Sequence, residues 1–267
     1  FLMLYLFYTF FLFYLIKFLI NIIPRPHLIF WSKILQPILD LFYRGNKFLD
    51  PINGKLYRTF LPYGYVKQRE NALSPGTFSL ERHRLLWLYL NNETEFFTKK
   101  IKVLHIAPEQ CFYKLFKNLK NINYTTFDLN SPLADIKGDI CKMPFEKNSF
   151  DYILCNHVLE HINDDKKAMM EIFRVLNVNG TAILQVPVNL NNKTTLEDNS
   201  ITNKQERIEK FGQYDHVRLY GLDYFKRLQN IGFEVDQIKY ASKFNDNEVL
   251  KYSINRNEVI PVCKKLI

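Results

Sequence analysis

The sequence is poor in cysteine, glycine and proline, and this scarcity excludes several classes of protein. Its four cysteines lie far apart and form no C-x-x-C pair, which excludes a disulfide framework or an intact zinc knuckle and predicts buried, reduced thiols. Only 9 of the 267 residues are glycine and 11 are proline, and no structural unit repeats along the chain. A solenoid, a propeller and a collagen-like fibre are therefore excluded.

The positive charge of the chain is not concentrated in any short segment. Lys and Arg number 36 against 27 Asp and Glu, which gives a formal net charge of +9. Such a balance permits attraction to nucleic acid, anionic lipid or acidic substrates. Because the lysines are scattered, we interpret the charge as a solvated basic surface and expect no specific nucleic-acid binding.

Residues 1–23 form an apolar run that contains one charged residue, Lys17. About 20 apolar residues are enough for a helix to cross a bilayer, and the run lacks the positive start of a signal peptide. The residues that follow it include Arg25, His27, Lys33 and Arg44. By the positive-inside rule these place the rest of the chain in the cytoplasm. We therefore expect a membrane anchor at residues 1–24 and a membrane-associated protein.

Two alternatives to the anchor stay open. The sequence begins at Phe1 and not at Met, so the apolar run is alternatively part of a fragment or of an extended reading frame. In that case the run is an artefact and the protein is expected to be cytoplasmic. The run is also compatible with a buried helix.

A second region, residues 25–97, is predicted to contain two helices around a loop-rich unit. Apolar residues recur at helical spacing over residues 26–46, and turn residues end this helix. Residues 47–79 predict a short unit with little strand. Leucines from Leu80 to Leu90 then recur at helical spacing and predict a packing helix that leads into the main domain.

The loop-rich unit resembles the zinc-ribbon knuckle pair attached to some bacterial methyltransferases, on the segment FLPYG and on a spacing of 2, 20 and 2 residues between four positions. These positions are Asp50, Asn53, Ser74 and Thr77, and oxygen donors are poor substitutes for zinc-binding thiolates. The resemblance therefore implies a metal-free relic. Its shape is expected to depend on the aromatic residues Phe48, Tyr57, Phe60, Tyr63 and Tyr65. The alternative is a connector that never bound metal, and no metal site is predicted in the chain.

From residue 98 onward, short apolar runs alternate with amphipathic stretches, a pattern typical of a parallel α/β sheet. The predicted strands are 102–106, 123–127, 135–139, 151–155, 181–188, 233–240 and 258–264, and the predicted helices are 111–121, 164–176 and 222–231. The chain thus divides into residues 1–24, 25–97 and 98–267.

Ligands of such sheets bind at the carboxyl ends of the strands, where three features converge. Ala107-Pro108-Glu109 forms a tight turn after the first strand. Asp128, 22 residues beyond Ile106, is placed to accept hydrogen bonds from ribose hydroxyls, and Asp139 lies beside apolar residues suited to a purine. A nicotinamide oxidoreductase is the weaker interpretation, because no G-x-G-x-x-G segment is present.

At these residues the chain resembles class I S-adenosylmethionine-dependent methyltransferases over about residues 98–265. The matching segments include VLHIAPE, FDLN, GDICKMPFEKNSFDYILCNHVLEHI and EIFRVLNVNGTAILQVPV. The resemblance implies a Rossmann-like, seven-stranded, mostly parallel sheet with an antiparallel last strand and helices on both faces. It also implies S-adenosylmethionine as the cofactor, bound by His105, Ala107, Glu109, Asp128, Leu129, Asp139, Ile140, Asn156 and His157.

The chain departs from this family in its first motif. An acidic residue followed by a glycine-rich segment is usual there, whereas His105, Ala107, Pro108 and Glu109 stand at these positions here. A sulfonium cofactor carries no phosphate and does not require a phosphate-binding glycine loop. Glu109 is itself expected to pair with the ammonium group of the cofactor.

Histidines and a polar stretch predict which residues act on the methyl acceptor or bind it. Residues 189–211 are long enough to form a lid that brings His216 over the cofactor. His216, His157 and Tyr214 are the predicted catalytic residues, whereas His161 is expected to start a helix. Arg218 and Tyr220 are predicted to bind an anionic acceptor. The alternative is a cluster of Asp215, His216 and Arg218 that ties the lid to the sheet.

The function expected from the sequence is methyl transfer by in-line displacement to an oxygen or nitrogen of an unidentified small molecule, lipid-linked glycan or protein. The alternative is a non-catalytic, membrane-associated binding protein on the same fold. That alternative is motivated by the altered first motif and by the missing metal ligands of the loop-rich unit.

Overall fold

The structure is a computed structural model, and it describes residues 25–64 and 68–266. The predicted membrane anchor, residues 1–24, lies outside the described residues, as does Tyr65. Within the two described ranges, no helix combines the length and the apolar character needed to cross a bilayer.

Helices and strands alternate over most of the described chain. The helices are α1 (Arg25–Phe42), α2 (Glu81–Glu93), α3 (Gln110–Lys117), α4 (Asp165–Val175), α5 (Lys204–Phe211), α6 (Tyr224–Ile231) and α7 (Asp246–Tyr252). The strands are β1 (Arg44–Asp50), β2 (Lys55–Tyr57), β3 (Leu61–Tyr63), β4 (Arg69–Leu73), β5 (Ile101–Ile106), β6 (Ile122–Asp128), β7 (Ile136–Lys137), β8 (Phe150–Cys155), β9 (Leu176–Ile183), β10 (Leu196–Glu197), β11 (Arg218–Leu219), β12 (Glu234–Ile238) and β13 (Ile260–Lys264). Short 3-10 turns cover Ile140–Lys142, Leu159–His161 and Tyr240–Lys243.

The region before the sheet contains more strand than predicted. Helix α1 ends at Phe42, four residues before the predicted end, because β1 begins at Arg44. β1 pairs with β2 and β3 pairs with β4, both antiparallel, so residues 47–79 are not strand-poor. These strands are short and of mixed polarity, and therefore lack the alternation that identifies a strand in a sequence.

Part of the predicted aromatic cluster holds these two hairpins together. Phe48, Tyr57 and Phe60 are buried against one another, with Tyr43 packed beside them. Tyr63 does not join this cluster and instead lines a cavity described below.

The four positions compared with zinc ligands are engaged in hydrogen bonds. The buried Asp50 carboxylate accepts hydrogen bonds from the hydroxyls of Thr77 and Ser79. Asn53 donates to the hydroxyl of Tyr57, and the Ser74 hydroxyl accepts a bond from the amide of residue 76. The origin of this unit from a zinc ribbon stays a prediction.

A seven-stranded sheet forms the centre of the molecule, in the order β12-β13-β9-β8-β5-β6-β7. The last strand, β13, is antiparallel to both of its neighbours, and the other pairings are parallel. The predicted Rossmann-like sheet, mostly parallel with an antiparallel last strand, is therefore confirmed.

The two faces of the sheet are both covered, as predicted. Alternate residues of a strand point to opposite faces. Accordingly Leu104 and Ile106 of β5 join a core with residues of α4 and α6, whereas Val103 joins a second core with residues of α2 and α3. Burial on both faces explains why these strands appear as nearly continuous apolar runs in the sequence.

The structure moves some predicted boundaries. β9 begins at Leu176 and runs through Asn179 and Gly180, which were predicted to form a turn before residue 181. Asn179 has a φ of 64°, so turn-like backbone occurs inside a strand that still pairs with its neighbours. The predicted lid, residues 189–211, contains β10 and α5, and β10 pairs with β11.

Candidate functional site

The central strands of the sheet end at one edge, where the order of the strands reverses. The chain passes from β5 outward to β6 and β7, and then crosses to β8 on the other side of β5. Such a reversal leaves a crevice between the loops that follow the strands. A cavity of about 950 Å³ opens here, and we call it the strand-end cavity.

The strand-end cavity collects nearly all of the residues that the sequence predicted to bind a cofactor. Its lining includes Ala107, Glu109, Asp128, Leu129, Asp139, Ile140, Asn156 and His157. His105 is the exception. It is fully buried and does not line the cavity, but it is hydrogen-bonded to Glu109, which does. Asp128 and Asp139 therefore line a common cleft, as the predicted adenosine site requires.

Backbone amides fix both of these aspartates. Oδ1 of Asp128 accepts hydrogen bonds from the amides of Asn130 and Ser131, at 2.8 and 2.6 Å. Oδ1 of Asp139 accepts the amide of Cys141 at 2.8 Å and thereby caps the first 3-10 turn. These bonds to the backbone fix the positions of the two short carboxylate side chains at the cavity.

Two residues in left-handed backbone conformation shape the mouth of the strand-end cavity. Ala107 follows β5 with a φ of 51°, and His157 lies just beyond β8 with a φ of 54°. This conformation costs a residue other than glycine on the order of 1 kcal/mol. Hydrogen bonds from the Ala107 amide to Phe127 O and from the His157 amide to Gln185 O, both 2.8 Å long, hold the two turns. The small methyl group of Ala107 leaves room where the family usually has glycine.

A buried carboxylate lies at the centre of the first turn. Nε2 of His105 is 2.6 Å from Glu109 Oε2, and Nε2 of His83 is 3.4 Å from Oε1. Burial acts to raise the pKa of Glu109, but hydrogen bonds and charge interactions with His105 and His83 hold it well below its usual value. Glu109 is therefore ionised at neutral pH.

Two polar groups of the strand-end cavity have unused hydrogen-bonding capacity. Asn156 donates through Nδ2 to Glu109, but its buried Oδ1 has no donor among the described residues. Nε of Arg82 is likewise buried without an acceptor in the described part of the chain. An acceptor oxygen and a guanidinium in one cavity suit a ligand that carries both an ammonium and a carboxylate group.

A second cavity, of about 660 Å³, adjoins the first, and we call it the acceptor cavity. Arg82, His157 and His161 line both cavities, whereas Glu160 and His216 line the acceptor cavity. The two spaces are therefore in contact, with two histidines and one arginine between them.

The acceptor cavity is lined by three carboxylates, those of Glu81, Glu160 and Glu258, and by the imidazoles of His157, His161 and His216. Burial acts to raise the pKa of Glu160, but the neighbouring imidazoles of His157 and His161 hold it below its ordinary value. Burial lowers the pKa of His216 and keeps this ring neutral at pH 7. The cavity thus contains an ionised carboxylate beside a neutral imidazole.

Three residues that were predicted to act in catalysis or to bind the acceptor line neither cavity: Tyr214, Arg218 and Tyr220. Tyr214 is 42% exposed and lines neither cavity. Arg218 is buried and donates to the carbonyls of Leu159, Ile162 and Asn163 and to Glu197.

Tyr220 is fully buried and donates to Asp165 at 2.7 Å. The polar atoms of Arg218 and Tyr220 are engaged inside the protein and neither residue lines either of the two cavities, so their acceptor-binding role stays a prediction that these contacts do not support. The hydrogen bonds of Arg218 to Glu197 in the lid and to Leu159 O after β8 fit the alternative, in which a cluster ties the lid to the sheet.

Sequence reasoning missed two residues that line the cavities, Arg82 and Glu160. Arg82 lies on α2, which is held in place by its buried leucines and by the buried guanidinium of Arg84, a donor to Tyr252 O and Ser253 O. Glu160 stands in the run VLEHI, where a carboxylate between apolar residues is a signal of a paired or functional charge.

Comparison with known proteins agrees with this geometry. Residues 100–184 match a family model described as a methyltransferase domain. The match covers β5 to β9, including the strand ends that form the strand-end cavity. The predicted resemblance to S-adenosylmethionine-dependent methyltransferases is thereby confirmed for this segment.

Individual relatives are more distant or cover less of the chain. An uncharacterised protein of Methanocaldococcus jannaschii is 40% identical over 81 residues, which span 28% of this chain and 35% of that protein. A methyltransferase of Archaeoglobus fulgidus that depends on S-adenosylmethionine is similar in structure, with 13% identity, a TM-score of 0.45 and coverage of 71% of this chain and 96% of that one. Phosphoethanolamine N-methyltransferase 2 of Haemonchus contortus, in complex with S-adenosyl-L-methionine, has 16% identity, a TM-score of 0.45 and coverage of 68% and 52%.

Proposed function

We propose that this protein is an S-adenosylmethionine-dependent methyltransferase that acts on an oxygen or nitrogen atom of its acceptor. The observation that carries the proposal is the strand-end cavity, where Asp128, Asp139 and Asn156 meet at the ends of the parallel strands β6, β7 and β8. When bound, the cofactor supplies a methyl group that moves to a lone pair of the acceptor, while the electrons of the broken C–S bond stay on sulfur.

The residues of the strand-end cavity fit the parts of this cofactor. Asp128 offers a carboxylate to the ribose hydroxyls, and Asp139 with the buried Ile140 offers a polar and an apolar contact to adenine. The unpartnered Oδ1 of Asn156 and the ionised Glu109 suit the ammonium group. The unpartnered Nε of Arg82 suits the carboxylate of the same ligand.

The acceptor cavity supports transfer to a group that enters from the other side. Its volume of about 660 Å³ is in the range of small-molecule sites, so it suits a small acceptor or the end of a larger one, such as a lipid-linked glycan or a protein side chain. His157 and His161 line both cavities and so lie along the route between donor and acceptor. In-line displacement depends mainly on such alignment and on exclusion of water.

Calorimetric titration tests the cofactor first. We expect the full chain to bind S-adenosylmethionine and S-adenosylhomocysteine with micromolar affinity, and to bind NAD much more weakly. Binding of NAD, without binding of S-adenosylmethionine or S-adenosylhomocysteine, would favour the oxidoreductase. Binding of none of these ligands would favour a non-catalytic binding protein. A screen with radiolabelled cofactor against small molecules, lipid-linked glycans and protein extracts then identifies the acceptor class.

A further inference from the structure

Three side chains that can ligate a metal ion meet at one wall of the acceptor cavity: Glu160, His161 and His216. One donor atom of each lies within 4.8 Å of the donor atoms of the other two. Glu160 and His161 belong to the 3-10 turn after β8, whereas His216 precedes β11. The Val217 amide donates to Glu160 O at 3.0 Å, so the fold fixes the two segments against each other.

The carboxylate of Glu160 is buried without a hydrogen bond in the described part of the chain, although imidazoles lie near it. The residue is 1% exposed, and neither side-chain oxygen has a hydrogen-bond donor among the described residues. Nδ1 of His157 lies 3.3 Å from Oε1 but outside hydrogen-bonding geometry. Burying a carboxylate without hydrogen bonds is costly, and for that reason buried charges are normally hydrogen-bonded, paired or bound to metals.

The two imidazoles are oriented so that a lone pair of each is free to bind a ligand. Nδ1 of His216 is 3.0 Å from Phe211 O, and Nδ1 of His161 is 3.2 Å from Asp215 O. A carbonyl oxygen only accepts, so each Nδ1 carries a proton, and Nε2 is the nitrogen of each ring that is available to bind a metal ion. Histidines that bind metals are oriented in this way, by donating their other ring N–H to a carbonyl or carboxylate.

We propose that Glu160, His161 and His216 bind a divalent first-row metal ion such as Mn²⁺ or Zn²⁺. One carboxylate and two imidazoles are a donor set of such ions, and three protein ligands leave coordination positions open. The three side chains line the acceptor cavity, so an ion that they hold would be accessible to an acceptor there. A cation here would also compensate the buried charge of Glu160, whose carboxylate has no hydrogen bond within residues 25–64 and 68–266.

The site assigns a class of acceptor, and this step rests on the proposed function. A metal ion held by these residues would bind an oxygen of the acceptor and would lower the pKa of a coordinated hydroxyl. The hydroxyl proton would leave to solvent, and the oxygen would use the retained electron pair to bond the methyl carbon while the electrons of the C–S bond stay on sulfur. The acceptor is therefore a hydroxyl compound, and His216 serves as a ligand, in place of the base predicted from the sequence.

Metal binding is tested on the full chain, without an affinity tag and after dialysis against a chelator. Mn²⁺ is the first probe because it avoids the cysteine thiols, and Zn²⁺ is the second. We expect one saturable Mn²⁺ site per chain in calorimetry, with a matching change in the Mn²⁺ paramagnetic resonance spectrum.

Glu160→Gln and His216→Ala each should weaken Mn²⁺ binding by at least about tenfold. His27→Ala is the matched control, since His27 is exposed on α1 far along the chain from this turn.

The outcomes separate this inference from the proposed function. Glu160 and His216 line only the acceptor cavity, so both variants should keep the affinity for S-adenosylhomocysteine, and that affinity also reports correct folding. Absence of a saturable Mn²⁺ or Zn²⁺ site in the unaltered chain would overturn the metal site even if the cofactor binds. Unchanged metal affinity in Glu160→Gln would do the same. Metal binding without cofactor binding would instead keep the site and remove the methyltransferase proposal.

Discussion

His105 and Glu109 form a hydrogen-bonded pair at the end of β5, with His105 Nε2 and Glu109 Oε2 2.6 Å apart. The imidazole is fully buried, and the carboxylate lines the strand-end cavity. The family resemblance implies an acidic residue where His105 stands. In this chain the negative charge of the first motif is therefore carried by Glu109, four residues later, with His105 as its support.

Acid should destabilise the protein through His83, which contacts Glu109. Burial, together with the charge of Arg82, lowers the pKa of His83 from 6.5 to about 4. Between these values the unfolded chain binds a proton that the folded chain does not, so the free energy of unfolding falls as the pH drops from 6.5 to 4. The loss is on the order of 3 kcal/mol. Glu109, whose pKa is depressed, adds a further loss as the pH falls below about 4.5.

Urea unfolding at several pH values between 7.5 and 4 measures this effect. His83→Gln should flatten the dependence between pH 6.5 and 4, because glutamine can still accept the Leu80 amide but does not titrate. His27→Gln, at an exposed position, should leave the dependence unchanged. A His83→Gln protein with the pH dependence of the unaltered chain would contradict the assignment.

Asp128→Asn should weaken the binding of S-adenosylhomocysteine by roughly 10- to 100-fold, the equivalent of about 1.5–3 kcal/mol for a hydrogen bond to a charged group. Asparagine keeps an oxygen for the amides of Asn130 and Ser131, so the turn after β6 should persist. Calorimetry measures the change. Asp236→Asn, at an exposed position of β12, is the control and should bind normally. Unchanged affinity in Asp128→Asn would remove this residue from the cofactor site.

Arg82→Met should weaken the binding of S-adenosylhomocysteine but not of methylthioadenosine. Arg82 lines the strand-end cavity and has a buried Nε without an acceptor, which suits the carboxylate of the amino-acid part. Methylthioadenosine lacks that part, so its affinity depends on the adenosine contacts alone. Comparing the two ligands by calorimetry on one variant separates a local effect from misfolding. An equal loss for both would refute the assignment.

Arg218→Met should reduce the free energy of unfolding by about 3–5 kcal/mol, because it removes one partner from a buried charge network. Three carbonyls and the carboxylates of Asp165 and Glu197 lose a donor or an opposite charge. Lys226→Met, on the exposed side of α6, should change stability little. Normal urea unfolding of Arg218→Met, combined with a raised KM for the acceptor, would restore the role predicted from the sequence.

The positions of the strand-end residues could be predicted because they depend on little beyond the order of the elements. Buried parallel strands appear in the sequence as apolar runs, and their carboxyl ends meet at one edge whatever the details of packing. Asp128 and Asn156 come at the ends of two such runs, whereas Asp139 follows β7, a two-residue exposed strand, and all three line one cavity. The short hairpins of residues 44–73 could not be found in this way, because strands of three to seven residues carry too few periodic positions.

The arrangement of the acceptor cavity could not be predicted from the sequence, because it depends on contacts between distant parts of the chain. A sequence shows that Arg218 can donate hydrogen bonds, but only the packing shows that carbonyls of residues 159–163 accept them. Likewise Glu160 and His216 are 56 positions apart in the sequence, and the hydrogen bond from the Val217 amide to Glu160 O holds their two segments together.

The sequence by itself therefore determined the sheet, its covering helices and the edge at which a cofactor binds, because periodic burial encodes these features locally. Tertiary structure decided which polar atoms are already bonded and which remain free. That distinction depends on partners far along the chain. The Arg218 guanidinium is hydrogen-bonded inside the protein, whereas the Glu160 carboxylate has no hydrogen-bond donor among the described residues.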